Sequence, residues 1–136
     1  MKLAVAVDER GRPLSVVTAA ANVAEVNLAA PVLDEVPPEV PKGTPVVADR
    51  GYDSDPLREE AARRGLVLVA PHRRGRTKSK TADGRRLRRY KRRWIVERTF
   101  AWLQAFRRVE TRREYYSFMY HGFVTLACIL IVWRRS

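Results

Sequence analysis

The sequence predicts an α/β domain in which helices flank a mixed sheet. Three observations carry this. The runs LAVAV, PVVAD and LVLVAP are apolar and of strand length. Segments of helical pattern alternate with them, DPLREEAARR being the clearest. Finally, 136 residues with 46% apolar content suffice for one core but not for two, so residues 1–136 are read as a single domain.

Taken in order, LAVAV, DERG and RPLSVVTAA read as two strands joined by a tight turn, with Gly11 free to take positive φ. NLAAPVLDEV reads as a short helix, and VPPEVPKGTP as a proline-rich connection. PVVAD is a strand ending at Asp49, and RGYDS is the loop after it. Asp55 or Ser54 caps the helix DPLREEAARR, Pro56 suits its first turn, and Gly65 stops it. LVLVAP has the continuous apolar character of a strand inside a sheet. A basic, mobile loop is expected over residues 72–89, then a long helix from about Arg85 to Arg108. The last helix is expected over Tyr116 to Trp133.

Charge is distributed unevenly. Residues 1–71 hold 8 Lys/Arg against 11 Asp/Glu, and residues 72–93 hold 12 against 1. Nearly all of the net +12 therefore lies in PHRRGRTKSKTADGRRLRRYKRR. Such a density of like charge repels itself unless a polyanion neutralises it, which favours nucleic acid over a merely solvated run. The expected DNA-binding residues are Arg73, Arg74, Arg76, Lys78, Lys80, Arg85, Arg86, Arg88, Arg89, Lys91 and Arg92. Cys128 stands alone in an apolar run, which excludes an internal disulfide and fits a reducing, cytoplasmic and nucleoid-associated setting. MKLAVAVDERG breaks into charge too soon for a signal peptide. FMYHGFVTLACILIVWRR is too short in its apolar part for a membrane span and is expected as a buried core helix.

Within YKRRWIVERTFAW one carboxylate, Glu97, stands among arginines and apolar residues. With Tyr90 set at zero on a helical wheel, Arg93 falls near ~−60°, Glu97 near ~−20° and Gln104 near ~−40°. Ile95, Thr99, Leu103 and Phe106 lie on the far side. Glu97 thus belongs to a narrow polar stripe. It pairs with Arg93 one turn back, a contact worth a few tenths of a kcal/mol, or it holds a divalent cation, which lets a carboxylate sit beside phosphate. Asp49 is either a turn residue or a second ligand, since open α/β sheets bind ligands at the carboxyl ends of strands. Asp53 and Asp55, just before a helix, suit local capping.

These residues resemble the DDE transposases of bacterial insertion sequences, families four and five. The catalytic helix of that group carries Tyr, two residues, Arg, three residues, Glu, six residues, Lys. Tyr90, Arg93 and Glu97 match, and Gln104 replaces the lysine. VVADRGYDS is similar to the group's strand-end Asp with its Gly-Tyr, and VDERGRPLSVVTAAANVAE resembles its second and third strands. The resemblance implies an RNase H-like fold whose Asp, Asp and Glu bind two Mg²⁺ (or Mn²⁺) ions for DNA cleavage and strand transfer. Asp49 and Glu97 would be the second and third carboxylates and metal ligands, with Tyr90 and Arg93 in support. Transposon-end DNA is the implied partner, with a homodimer on DNA a further expectation.

The group's first Asp lies on a central strand ahead of the hairpin, a strand this chain is expected to lack. Asp8 is the alternative first carboxylate, although DERG reads better as a surface turn. A separate N-terminal transposase fragment would supply both strand and ligand. Without it the chain is expected to bind DNA and not cut it, the alternative being a non-catalytic remnant.

Overall fold

The computed structural model describes residues 1–73 and 88–135, with the side chains of 88–90 left aside. Strands β1 (Lys2–Val7) and β2 (Pro13–Ala19) form an antiparallel hairpin that pairs Leu3 with Thr18 and Val5 with Val16. Its turn is built by two residues. Gly11 adopts φ 81°, and Asp8 accepts from the backbone N–H of Arg10 and of Arg12, each at 2.9 Å.

Helix α1 (Val26–Asp34) follows and packs on the hairpin, burying Leu28 and Val32 against Ala4. Strand β3 (Thr44–Val47) then pairs in parallel with β4 (Leu66–Val69), matching Thr44 to Leu66 and Val47 to Val69. Parallel neighbours need a crossover, and α2 (Asp55–Arg63) supplies it. Ser54, not Asp55, is its N-cap, accepting from Leu57 N–H at 3.3 Å, with Pro56 in the first turn. Gly65, at φ 73°, lets the chain reverse into β4. Leu33, Leu57, Ala61 and Leu66 form the core under this unit.

After a 3₁₀ turn over Arg88–Arg93 come α3 (Trp94–Gln104), a single-turn α4 (Arg107–Glu110) and α5 (Ser117–Arg135). The largest core lies where α3 and α5 meet the hairpin, around Leu103, Val124 and Ile131. Arg98 fastens α3 to the turn: its guanidinium lies between the rings of Trp94 and Trp102, at 5.0 and 4.8 Å, and donates to the Arg10 carbonyl at 2.9 Å.

The α/β character holds, but three expectations change. Among the described residues the strands form two separate two-stranded sheets, β1–β2 and β3–β4, and not one mixed sheet. β4 therefore has a single neighbour among the described strands despite its wholly apolar sequence. The long helix expected from Arg85 to Arg108 is instead a 3₁₀ turn, an α-helix beginning at Trp94 and a short following helix. Like-charge repulsion in RRYKRR opposes regular helix there. The last helix is not buried all round. Its inner face is in the core, while Leu126, Ile129 and Trp133 are exposed. At 19 residues it is long and apolar enough to cross a membrane by length and composition alone. The expected mobile loop at 72–89 lies mostly outside the described residues.

Candidate active site at the end of the parallel strands

Strand β3 ends at Val47, and Ala48 N–H still reaches the Val69 carbonyl at 3.0 Å. The chain then turns. Asp49 caps a 3₁₀ turn over Arg50–Tyr52, accepting from Gly51 N–H at 2.8 Å through Oδ1. This leaves Oδ2 out of the turn, on an exposed side chain at the carboxyl end of a strand. An open cleft of about 520 Å³ lies here, lined by Glu25, Asp49, Arg50, Gly51 and Arg93.

Electrostatics mark the same spot. Burial raises the Tyr52 hydroxyl pKa above its usual range, and the negative charges of Glu25 and Asp49 raise it further. Both carboxylates therefore act on one side chain at the cleft. Glu25 is the residue that sequence reasoning missed. It sits at the start of α1 without capping it, and an acidic residue at a helix N-terminus is favoured by the helix dipole anyway. Nothing in NVAEV distinguished it. Only the packing of α1 beside the Asp49 loop does.

Asp53 laces the loop to the segment after β4. It accepts from Arg58 Nη1 at 2.7 Å and from the Arg73 backbone N–H at 2.6 Å, and it meets His72 Nδ1 at 3.1 Å. Burial pushes its carboxyl up, but these hydrogen bonds and the Arg58 charge outweigh burial and hold it at about 2. Arg73 also donates to the carbonyls of Arg50 and Gly51, at 3.2 and 2.7 Å. The basic segment thus begins on the rim of the cleft.

The other candidates are spread more widely. Arg93 lines the cleft with Asp49. Glu97, one turn further on in the first turn of α3, is exposed and not part of that lining, and Gln104 ends the same helix, also exposed. Lys91 and Arg92 are exposed, and with Arg88, Arg89 and Tyr90 they form the 3₁₀ turn that packs on β3. Arg74, Arg76, Lys78, Lys80, Arg85 and Arg86 lie outside the described residues. Asp8 is in the hairpin turn, away from the cleft lining. Its Oδ1 serves two backbone N–H groups and its Oδ2 accepts from Arg12 Nε at 2.7 Å. Burial raises its pKa, and these bonds reverse the direction and lower it. That is the geometry of a turn brace.

The family model described as "Transposase DDE domain" matches residues 1–132. This chain belongs to the DDE transposase family. The chain is also 39% identical over 134 residues to a protein named as a transposase for insertion sequence element IS402 in Burkholderia cepacia. That match covers 93% of this chain and 60% of the relative, so the chain spans less than two thirds of the relative's length. No solved structure matches the chain.

DDE transposase domains generally use divalent metal ions. Carboxylate oxygens are the ligands that Mg²⁺ and Mn²⁺ take, so Asp49 is chemically suited. Among the described residues, however, no three His, Cys, Asp or Glu groups converge to hold a metal ion. The donors fit part of a site.

Proposed function

We propose that this chain is the part of an insertion-sequence transposase that supplies the second and third catalytic carboxylates, Asp49 and Glu97, together with the DNA-binding segment. The observation that carries the reading is the shared cleft of Asp49 and Arg93. It sets the strand-end Asp beside the start of the helix that bears Glu97. Two metal ions, when bound, supply activation of the attacking oxygen and stabilisation of the leaving one. The protein's own groups do the rest. Asp49 is pre-oriented by Gly51 N–H, Arg93 brings positive charge toward a phosphate, and the basic segment from Arg73 holds the DNA backbone.

The first carboxylate, in this reading, arrives on a strand that pairs between the edges of β1 and β3 and completes an RNase H-like sheet. The separation of the two sheets supports it, because β1 and β3 each have one paired neighbour among the described strands. Open edges of this kind invite strand addition. The strand comes from a longer form of the chain or from a second polypeptide.

The test uses the 136-residue chain, a supercoiled plasmid and Mg²⁺ or Mn²⁺. DNA is bound and not nicked by the chain alone. Adding a polypeptide with the family's first strand yields nicking, which Asp49→Asn and Glu97→Gln each abolish while DNA binding persists. Nicking by the unassisted chain that Asp8→Asn abolishes would instead make Asp8 the first carboxylate. Nicking restored equally in the Asp49→Asn and Glu97→Gln variants would sink the assignment.

A further inference from the structure

The Arg50 carbonyl and the Gly51 N–H are the two ends of one peptide plane, and each end is held. The N–H donates to Asp49 Oδ1 at 2.8 Å. The carbonyl accepts from Arg73 Nε at 3.2 Å, while Arg73 Nη2 reaches the next carbonyl, that of Gly51, at 2.7 Å. A peptide bond is planar, so gripping its oxygen also fixes the direction of its hydrogen. We propose that Arg73 is a positioning residue for Asp49, acting through the Arg50–Gly51 peptide, and that Asp53 in turn positions Arg73.

The seat of Asp49 is tight. A Cβ on Gly51 would stand 2.9 Å from Asp49 Oδ1, so the carboxylate lies where only a glycine leaves room. Arg50–Tyr52 is a 3₁₀ turn with no buried residue, so hydrogen bonds set its shape more than packing does.

Asp53 supplies the anchor. Its side chain is only 4% exposed, and its two oxygens divide the work. Oδ1 meets Arg58 Nη1 at 2.7 Å and His72 Nδ1 at 3.1 Å, and Arg58 Nη2 also donates to the Ala70 carbonyl at 3.1 Å. Oδ2 accepts from the Arg73 backbone N–H at 2.6 Å. The Asp53 N–H itself returns to the Arg50 carbonyl at 3.1 Å. A nearly buried carboxylate thus fixes the Arg73 backbone, and the Arg73 side chain fixes the turn that orients Asp49. By sequence Arg73 ranks among the DNA contacts. Its Nε–Nη2 edge, one of the forks by which an arginine takes a phosphate, is instead occupied by two carbonyls. The catalytic importance of Arg73 rests on the reading of Asp49 as a catalytic carboxylate; the seating of Asp49 by Arg73 does not.

Heteronuclear NMR of the whole chain without metal reads that seating. Asp49→Ala gives the Gly51 amide-proton shift when no carboxylate accepts from it. Arg73→Ala and Arg73→Lys should each move the resonance at least halfway to this limit, with unchanged far-ultraviolet circular dichroism. Lysine keeps the charge but has no planar fork to reach both carbonyls. Asp53→Asn should move it in the same direction; Arg73 is exposed, so its variants decide even where this one unfolds. In duplex binding, Arg73→Ala should change the slope of log affinity against log salt by less than about half a unit, where a lost phosphate contact costs about 0.9. In the nicking mixture with the first-strand polypeptide, Arg73→Lys should slow cleavage at least tenfold at unchanged DNA affinity. A Gly51 resonance unmoved in both Arg73 variants overturns the proposal. So does a full loss of slope in Arg73→Ala that Arg73→Lys restores, which makes Arg73 a phosphate contact. A moved resonance together with nicking indifferent to Asp49→Asn supports the seating and removes the catalytic reading.

Discussion

Thr99 Oγ1 donates to the Gly11 carbonyl at 2.6 Å, tying the helix of Glu97 to the turn of the first hairpin across 88 positions of sequence. Thr99 is fully buried, and a Cβ placed on Gly11 would stand 2.9 Å from that same oxygen. Gly11 is also at φ 81°, where a side chain is strained. Gly11→Ala should therefore destabilise the fold by roughly 1–3 kcal/mol. Urea denaturation checks it, and an unchanged midpoint would show that α3 and the turn are not tightly coupled.

Asp53 makes stability depend on acid. Its folded pKa of about 2 lies below the ordinary carboxylate value of 3.8, so the folded state favours the charged form. The stabilisation is complete above the unfolded pKa, and it is lost as pH falls from there through the folded value. It amounts to on the order of 2 kcal/mol. Denaturation midpoints measured from pH 6 to pH 2 should fall over that window in the native chain. In Asp53→Asn the contribution is already missing at pH 6 and the decline should be shallower.

Cys128 should react slowly with thiol reagents. It is buried on the core side of α5, and burial pushes its pKa to about 11, so little thiolate exists at neutral pH. Labelling by an aromatic disulfide reagent should accelerate sharply in denaturing urea. Rapid labelling of the native chain would mean that α5 opens away from the hairpin.

DNA affinity should reside in the segment from Arg73 to Arg93. Replacing Arg85, Arg86, Arg88 and Arg89 with alanine removes four cations that counter phosphate charge. If all four touch the backbone, the slope of log affinity against log salt should flatten by about 3–4. Binding titrations at several salt concentrations measure this. An unaltered slope places the interface on another surface of the molecule.

Local chemistry was legible in the sequence because it depends on neighbours a few residues away. Strand-length apolar runs placed β1 to β4, Ser54 and Pro56 marked the start of α2, and Gly11 and Gly65 marked the reversals. The same reading put Asp49 at a strand end, where the cleft opens. Tertiary structure decided what pattern does not encode. Strand partners are chosen by long-range pairing, so the apolar sequence of β4 could not reveal that, among the described residues, it pairs with β3 alone. Glu25 joins Asp49 only because α1 packs beside the loop after β3, a contact between segments over twenty residues apart. Helix α5 shows the limit most plainly. Its sequence is apolar on two opposite faces, and a hydrophobic residue carries no label saying whether its own core or a second surface will cover it.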